Sequence, residues 1–176
     1  MKLRAFIIGI LFFQSGIIAQ NKVNFPEDYY GSYKGDLVIM NAKGKQTIPM
    51  EFHLRSTDTV GTYVYQLVYI SNGNREVRDY KLIEKDKTKG EYVVDENNGI
   101  LLEATAIGNK LMSVFEVQNS LLMTTETFYE DHMLFEIVFA RTDNKSQSGN
   151  VGNTIPEVTS FPVSVYQSAK LKKLED

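Results

Sequence analysis

The sequence predicts an all-β protein, an antiparallel up-and-down meander of about nine strands closed into a barrel. The first observation is the stretch from Gly99 to Arg141. Its four apolar runs, each of strand length, are separated only by Gly108-Asn109, Gln118-Asn119 and Glu130-Asp131. Links this short join antiparallel neighbours, because a parallel return needs a long crossover. The second is that the earlier chain keeps the same rhythm, with no helical period long enough to propose a helix. The third is the strand count itself, at which closure is the usual way to remove exposed edges.

Taken in order, Met1 to Gln20 reads as a secretory signal peptide. Lys2 and Arg4 give a positive start, Ala5 to Phe13 a short apolar run, and Ser15, Gly16 and Ala19 small residues before cleavage after Ala19 or Gln20. Gln14, Ser15 and Gly16 interrupt the run before it reaches membrane-spanning length. The expected mature protein is exported and soluble, periplasmic or extracellular. Its organisation is expected to be a barrel domain over 21–141, a flexible Ser/Asn/Gly-rich linker over 142–154, and a C-terminal strap or tail over 155–176.

Asp36 to Met40 is the first expected strand, and Asn41 to Gly44 a turn. Gln46 to Arg55 alternates, with Ile48, Met50, Phe52 and Leu54 on one face and Pro49, Glu51, His53 and Arg55 on the other. Pro49 donates no N–H, which predicts an edge or a bulge there. Thr62 to Ile70, Val77 to Glu84 and Gly90 to Val94 are the next three strands. The first two are joined through Ser71-Asn72-Gly73-Asn74, a strong hairpin signal. Val158, Phe161, Val163 and Val165 suit one short added strand or a strap across the barrel, and Lys170 to Asp176 a charged, frayed end.

Composition excludes several functions. The 176 residues carry a formal charge of −3 and neither cysteine nor tryptophan. The balance offers no basic footprint for nucleic acid. Without cysteine there are no disulfides, no thiolate zinc site and no cysteine nucleophile. No zinc-protease, nucleophile-elbow or phosphate-loop motif is present. Asp95 to Gly99 lacks calcium-loop spacing, and the two histidines, His53 and His132, fall on a polar strand face and in a turn. No metal, cofactor or catalytic residue is expected.

Glu51, Glu103, Glu116 and Glu136 alternate away from the apolar set and are expected on the solvated face. Glu126 differs, because Thr125 and Thr127 flank it; if it points inward it is the best ligand-contacting carboxylate. The aromatics Phe52, Tyr63, Tyr65, Tyr69, Tyr80, Tyr92, Phe115, Phe128 and Phe135 fall on neighbouring strands. They either pack an ordinary core or line a lumen that takes a small molecule. Leu101, Ile107, Met112, Val114, Leu134 and Val138 make several strands apolar on the second face as well. A covering segment, a second copy or an envelope partner would suit that surface.

A barrel of this length, entered through Gly31-Ser32-Tyr33, resembles the calycins, the group of lipocalins and fatty-acid-binding proteins and their bacterial relatives. Tyr33 stands where lipocalins place a tryptophan two residues after glycine, and Arg141 where they have a basic residue packed over that aromatic. The resemblance implies a cation–π closure of one barrel end by Gly31, Tyr33 and Arg141. Other lipocalin motifs are not evident. The reading is an exported, non-enzymatic barrel that binds a small hydrophobic or amphipathic molecule in its lumen. The alternative is a structural or interaction protein of the envelope with a filled barrel, homodimeric or bound to a partner.

Overall fold

The computed structural model describes residues 24–150 and 154–175; the expected signal peptide lies outside the described residues. Among the described residues, twelve strands follow a single 3₁₀ turn at Glu27–Tyr29: β1 Gly31–Asn41, β2 Gly44–Ser56, β3 Thr62–Ser71, β4 Asn74–Asp86, β5 Glu91–Asp95, β6 Leu101–Ile107, β7 Lys110–Val117, β8 Ser120–Phe128, β9 His132–Arg141, β10 Ser146–Ser148, β11 Val158–Ser160 and β12 Val163–Lys173. Strands β1 to β9 and β12 form a closed antiparallel barrel of ten strands in up-and-down order. β12 lies between β9 and β1 and closes the ring.

The barrel therefore runs past residue 141. Where a strap or frayed tail is expected over 155–176, the structure has an eleven-residue strand reaching Lys173. Ala169 and Leu171 point from it into the core, the latter wholly buried. The expected linker over 142–154 contains β10, which pairs with β11 in a small exposed ribbon of its own. Gly35 serves the closing seam. A Cβ there would stand 2.4 Å from the backbone oxygen of Lys170, so only glycine lets β1 and β12 approach this closely.

The hairpins follow their residues. Asn72 and Gly73 both take positive φ between the paired Ser71 and Asn74, as a type I′ turn requires. Gln118 and Asn119 do the same between Val117 and Ser120 without any glycine. Pro49 sits opposite Asp36 of β1, just beyond Met50, the last β2 residue paired to β3. A closed barrel has no edge strand, but this part of β2 has lost its second neighbour, so the missing N–H breaks no ladder bond.

The interior divides into two halves. At the end where β1 begins, Phe25 and Tyr29 enter ahead of the first strand and pack on Tyr92 and Phe128, and Phe128 packs in turn on Tyr33 and Phe52. Tyr33, Phe52, Phe128, Leu54, Leu82, Leu111, Met133 and Leu171 are buried there, and that half is filled. The hairpins β1–β2, β3–β4, β5–β6 and β7–β8 surround the other end, where the walls stand apart.

Candidate lumen site

A cavity of about 140 Å³ occupies the hairpin end of the barrel. Alternation along β3 puts Tyr65, Leu67 and Tyr69 into it. Tyr80 on β4 lies across the ladder from Tyr65, Val94 and Glu96 come from β5 and just beyond it, and Leu102 from β6. Ser113 and Phe115 on β7, Thr124 on β8 and Phe135 and Ile137 on β9 complete the wall. Five aromatic rings and three small hydroxyl or carboxyl groups thus face one space.

Glu126 lies beneath it. The side chain is 1% exposed, pointing inward from β8 between the outward Thr125 and Thr127. The Tyr65 hydroxyl donates to its Oε1 at 2.9 Å, so the lumen's floor is a phenol whose proton is committed to a buried carboxyl. Burial pushes the Glu126 carboxyl up to about 7, although the Tyr65 hydrogen bond pulls the other way. Tyr65 itself is raised well above the usual phenol range by burial and by the adjoining Glu126. Tyr69 is raised by burial and by Tyr80. At the rim Arg78 is ion-paired with Glu76, and both stand on the same strand face as Tyr80.

The sequence-expected lumen residues separate into two groups. Tyr65, Tyr69, Tyr80, Phe115 and Phe135 line the cavity, and Glu126 supports its floor. Phe52, Tyr63, Tyr92 and Phe128 face inward too, but in the filled half. There Tyr92 donates to the Phe25 carbonyl at 3.0 Å, Tyr63 to Glu84 at 3.1 Å, and Phe128 stacks on Tyr29 with centroids 5.1 Å apart. Alternation identifies the inner face of a strand but not which end a preceding segment plugs. Ser113, Thr124 and Glu96 are cavity residues that sequence reasoning missed. The first two are small inward residues on strands whose partners were recognised by their aromatics alone.

The closure of the filled end uses a different cation from the one expected. Lys173 Nζ lies 5.8 Å from the Tyr33 ring centroid. A Cβ on Gly31 would come within 2.7 Å of the Lys173 chain, so the glycine makes room for it. Arg141 is at the opposite end of the barrel, exposed and ion-paired with Asp143. The expectation took β9 for the last strand; the last strand is β12, and its terminal lysine takes that place.

Outside the barrel, Glu51 accepts two hydrogen bonds from Arg75 and meets Lys34 and His53. The Arg75 bond holds its carboxyl at about 2. His53 Nδ1 lies 3.0 Å from Ser32 Oγ, so serine, histidine and glutamate stand in a chain. Arg55 donates to the same Ser32 oxygen at 2.8 Å, on an open sheet face; the group joins three strands, β1, β2 and β4, rather than enclosing a reacting centre. Among the described residues, no group of three or more metal-ligating acidic or histidine side chains is placed to hold an ion, and no helix is long and apolar enough to cross a membrane.

Ten antiparallel strands closed around a partly hollow, aromatic-walled interior define a calycin-like barrel. Solved structures share that fold, two among them at TM-scores near 0.6. One is a protein of unknown function of the DUF3598 family from Nostoc punctiforme, 7% identical with a TM-score of 0.59. That match covers 84% of this chain, which spans about half (48%) of the Nostoc protein's length. The other is the S-type phycobiliprotein lyase CPES from Guillardia theta, 8% identical with a TM-score of 0.58, over 85% of this chain and 90% of the lyase. No protein-family model matches the sequence, and no curated protein does. The expectation of a non-enzymatic barrel is corrected by the second structure. A barrel of this shape bears the name of a lyase, so the lack of linear catalytic motifs does not exclude an enzyme.

Proposed function

We propose that this chain is an exported barrel that takes a small hydrophobic or amphipathic molecule into its lumen. The cavity carries the reading: about 140 Å³ walled by Tyr65, Tyr69, Tyr80, Phe115 and Phe135, above a floor sealed by the aromatic plug. That volume is close to the roughly 150 Å³ of an engineered cavity that takes one benzene ring. Apolar walls supply affinity through burial, at roughly 25 cal/mol per Å², and the few polar groups orient the guest. The shape shared with a structure named as a phycobiliprotein lyase supports a barrel that handles a small molecule. Export rests on the charged, apolar and small-residue order of the first twenty residues.

Indole, a neutral probe of matching size, tests it. In an amide-resolved NMR titration, indole should shift the resonances of Tyr65, Tyr69, Phe115 and Phe135. Ser113→Phe, which fills the space from β7, should abolish the response. A parent protein that shows no saturable shift overturns the reading.

A second reading, an interaction protein, is favoured by one observation on the outer surface. Val114, Met123, Val138, Tyr166 and Met40 stand opposite one another across β7, β8, β9, β12 and β1. Val114 is 60% exposed, and β11 pairs with β10 instead of covering this row. On this reading the row docks a second copy of the chain. Sedimentation of the parent beside Val138→Lys checks it. A dimer that the substitution dissociates supports self-association, and monomers in both samples end it.

A further inference from the structure

We infer that the lumen selects an organic cation, a protonated amine on a single-ring body, with its ammonium end at Tyr65 and its ring among Tyr69, Phe115 and Phe135. This rests on the lumen being a binding site and names the class of guest it takes.

The distribution of charge carries the inference. Among the residues lining the cavity there is no lysine, arginine or histidine, and Glu96 is a carboxylate. Glu126 adds a second carboxyl directly behind the floor. Arg78 at the rim is neutralised by Glu76. A guest with a carboxylate head would bring another negative charge toward these groups, with no cation to meet it. In so desolvated a space that repulsion is strong.

The floor also has a fixed polarity. The Tyr65 proton is given to Glu126 at 2.9 Å, so the phenol oxygen of this lining residue has only lone pairs left to offer a guest. A guest therefore needs a donor at its inner end. An ammonium that donates to that oxygen starts a chain of two hydrogen bonds ending on the Glu126 carboxylate, whose charge offsets that of the guest. The ring faces of the wall attract a cation as well. A cavity of about 140 Å³ limits the body to one ring and a short arm.

Three nearly isosteric probes separate the possibilities: phenethylamine, 2-phenylethanol and 3-phenylpropionate, each titrated by NMR in mildly alkaline buffer. The amine should bind at least about tenfold more tightly than the propionate, with the alcohol between them. Glu126→Gln, which keeps the shape and the hydrogen bond to Tyr65, should erase most of the amine's advantage and leave the alcohol within about twofold. Propionate binding as tightly as the amine overturns the charge assignment while the lumen site stands. An amine advantage untouched by Glu126→Gln removes Glu126 from it and overturns the assignment equally. If none of the three binds, the lumen site itself falls.

Discussion

Glu126 contributes to the molecule through its protonation state. Its carboxyl titrates near 7 in the folded protein and near 4.5 when exposed, because burial disfavours the anion. Between those values the folded chain holds the proton more firmly than the unfolded one, so stability is greatest below about 4.5 and falls as pH rises through 7. Glu126→Gln removes that dependence. It should therefore gain on the parent by up to about 3 kcal/mol in alkaline solution and differ little in acid. Denaturant unfolding of both proteins across pH checks this; parallel curves would show that the carboxyl is not desolvated. The sequence already distinguished this residue. Glu116 and Glu136 are bracketed by apolar neighbours and their alternation is plain, whereas threonines on both sides of Glu126 leave the facing open. What decides it is tertiary: Phe135 stands across the ladder from Glu126, and Tyr65 reaches it from the far wall.

At the scale of the element, the strands of the meander were legible almost to the residue, because each apolar run ends at a turn-former. The closing strand was not. β12 begins with the exposed Val163 and ends in lysines. Its inward residues, Ala169 and Leu171, are too few to give a clear alternation, and Lys170, Lys172 and Lys173 look like a solvated tail. Only closure against β1 and β9 makes it a strand, and with it went the identity of the cation over Tyr33. The β7–β8 turn supports a direct test. Gln118 and Asn119 both hold positive φ, at 46° and 61°, where Asn-Gly is the preferred pair. Replacing them by Asn-Gly should stabilise the barrel by about 0.5–1 kcal/mol, seen as a rise in melting temperature of about 1–4 °C. A fall in melting temperature would mean that Gln118 makes a contact worth more than the relief of its backbone.

For the whole molecule, the same aromatic inventory does two jobs in two halves. Near the start of β1 the rings are consumed by Phe25 and Tyr29, which enter before the first strand and make a floor; at the hairpin end similar rings have nothing between them. Inner and outer faces were readable from alternation, but the division into filled and hollow halves was not. It depends on where the short segment from Phe25 to Tyr30, ahead of β1, enters the ring. On the proposed function the hollow half receives a guest. A crystal structure of the chain soaked with indole tests this most directly. Ring density is expected between Phe115, Phe135 and Tyr69, above an intact Tyr65–Glu126 hydrogen bond. A lumen closed by collapse of Tyr69 and Tyr80 onto Phe135, with no ring inside, would contradict it.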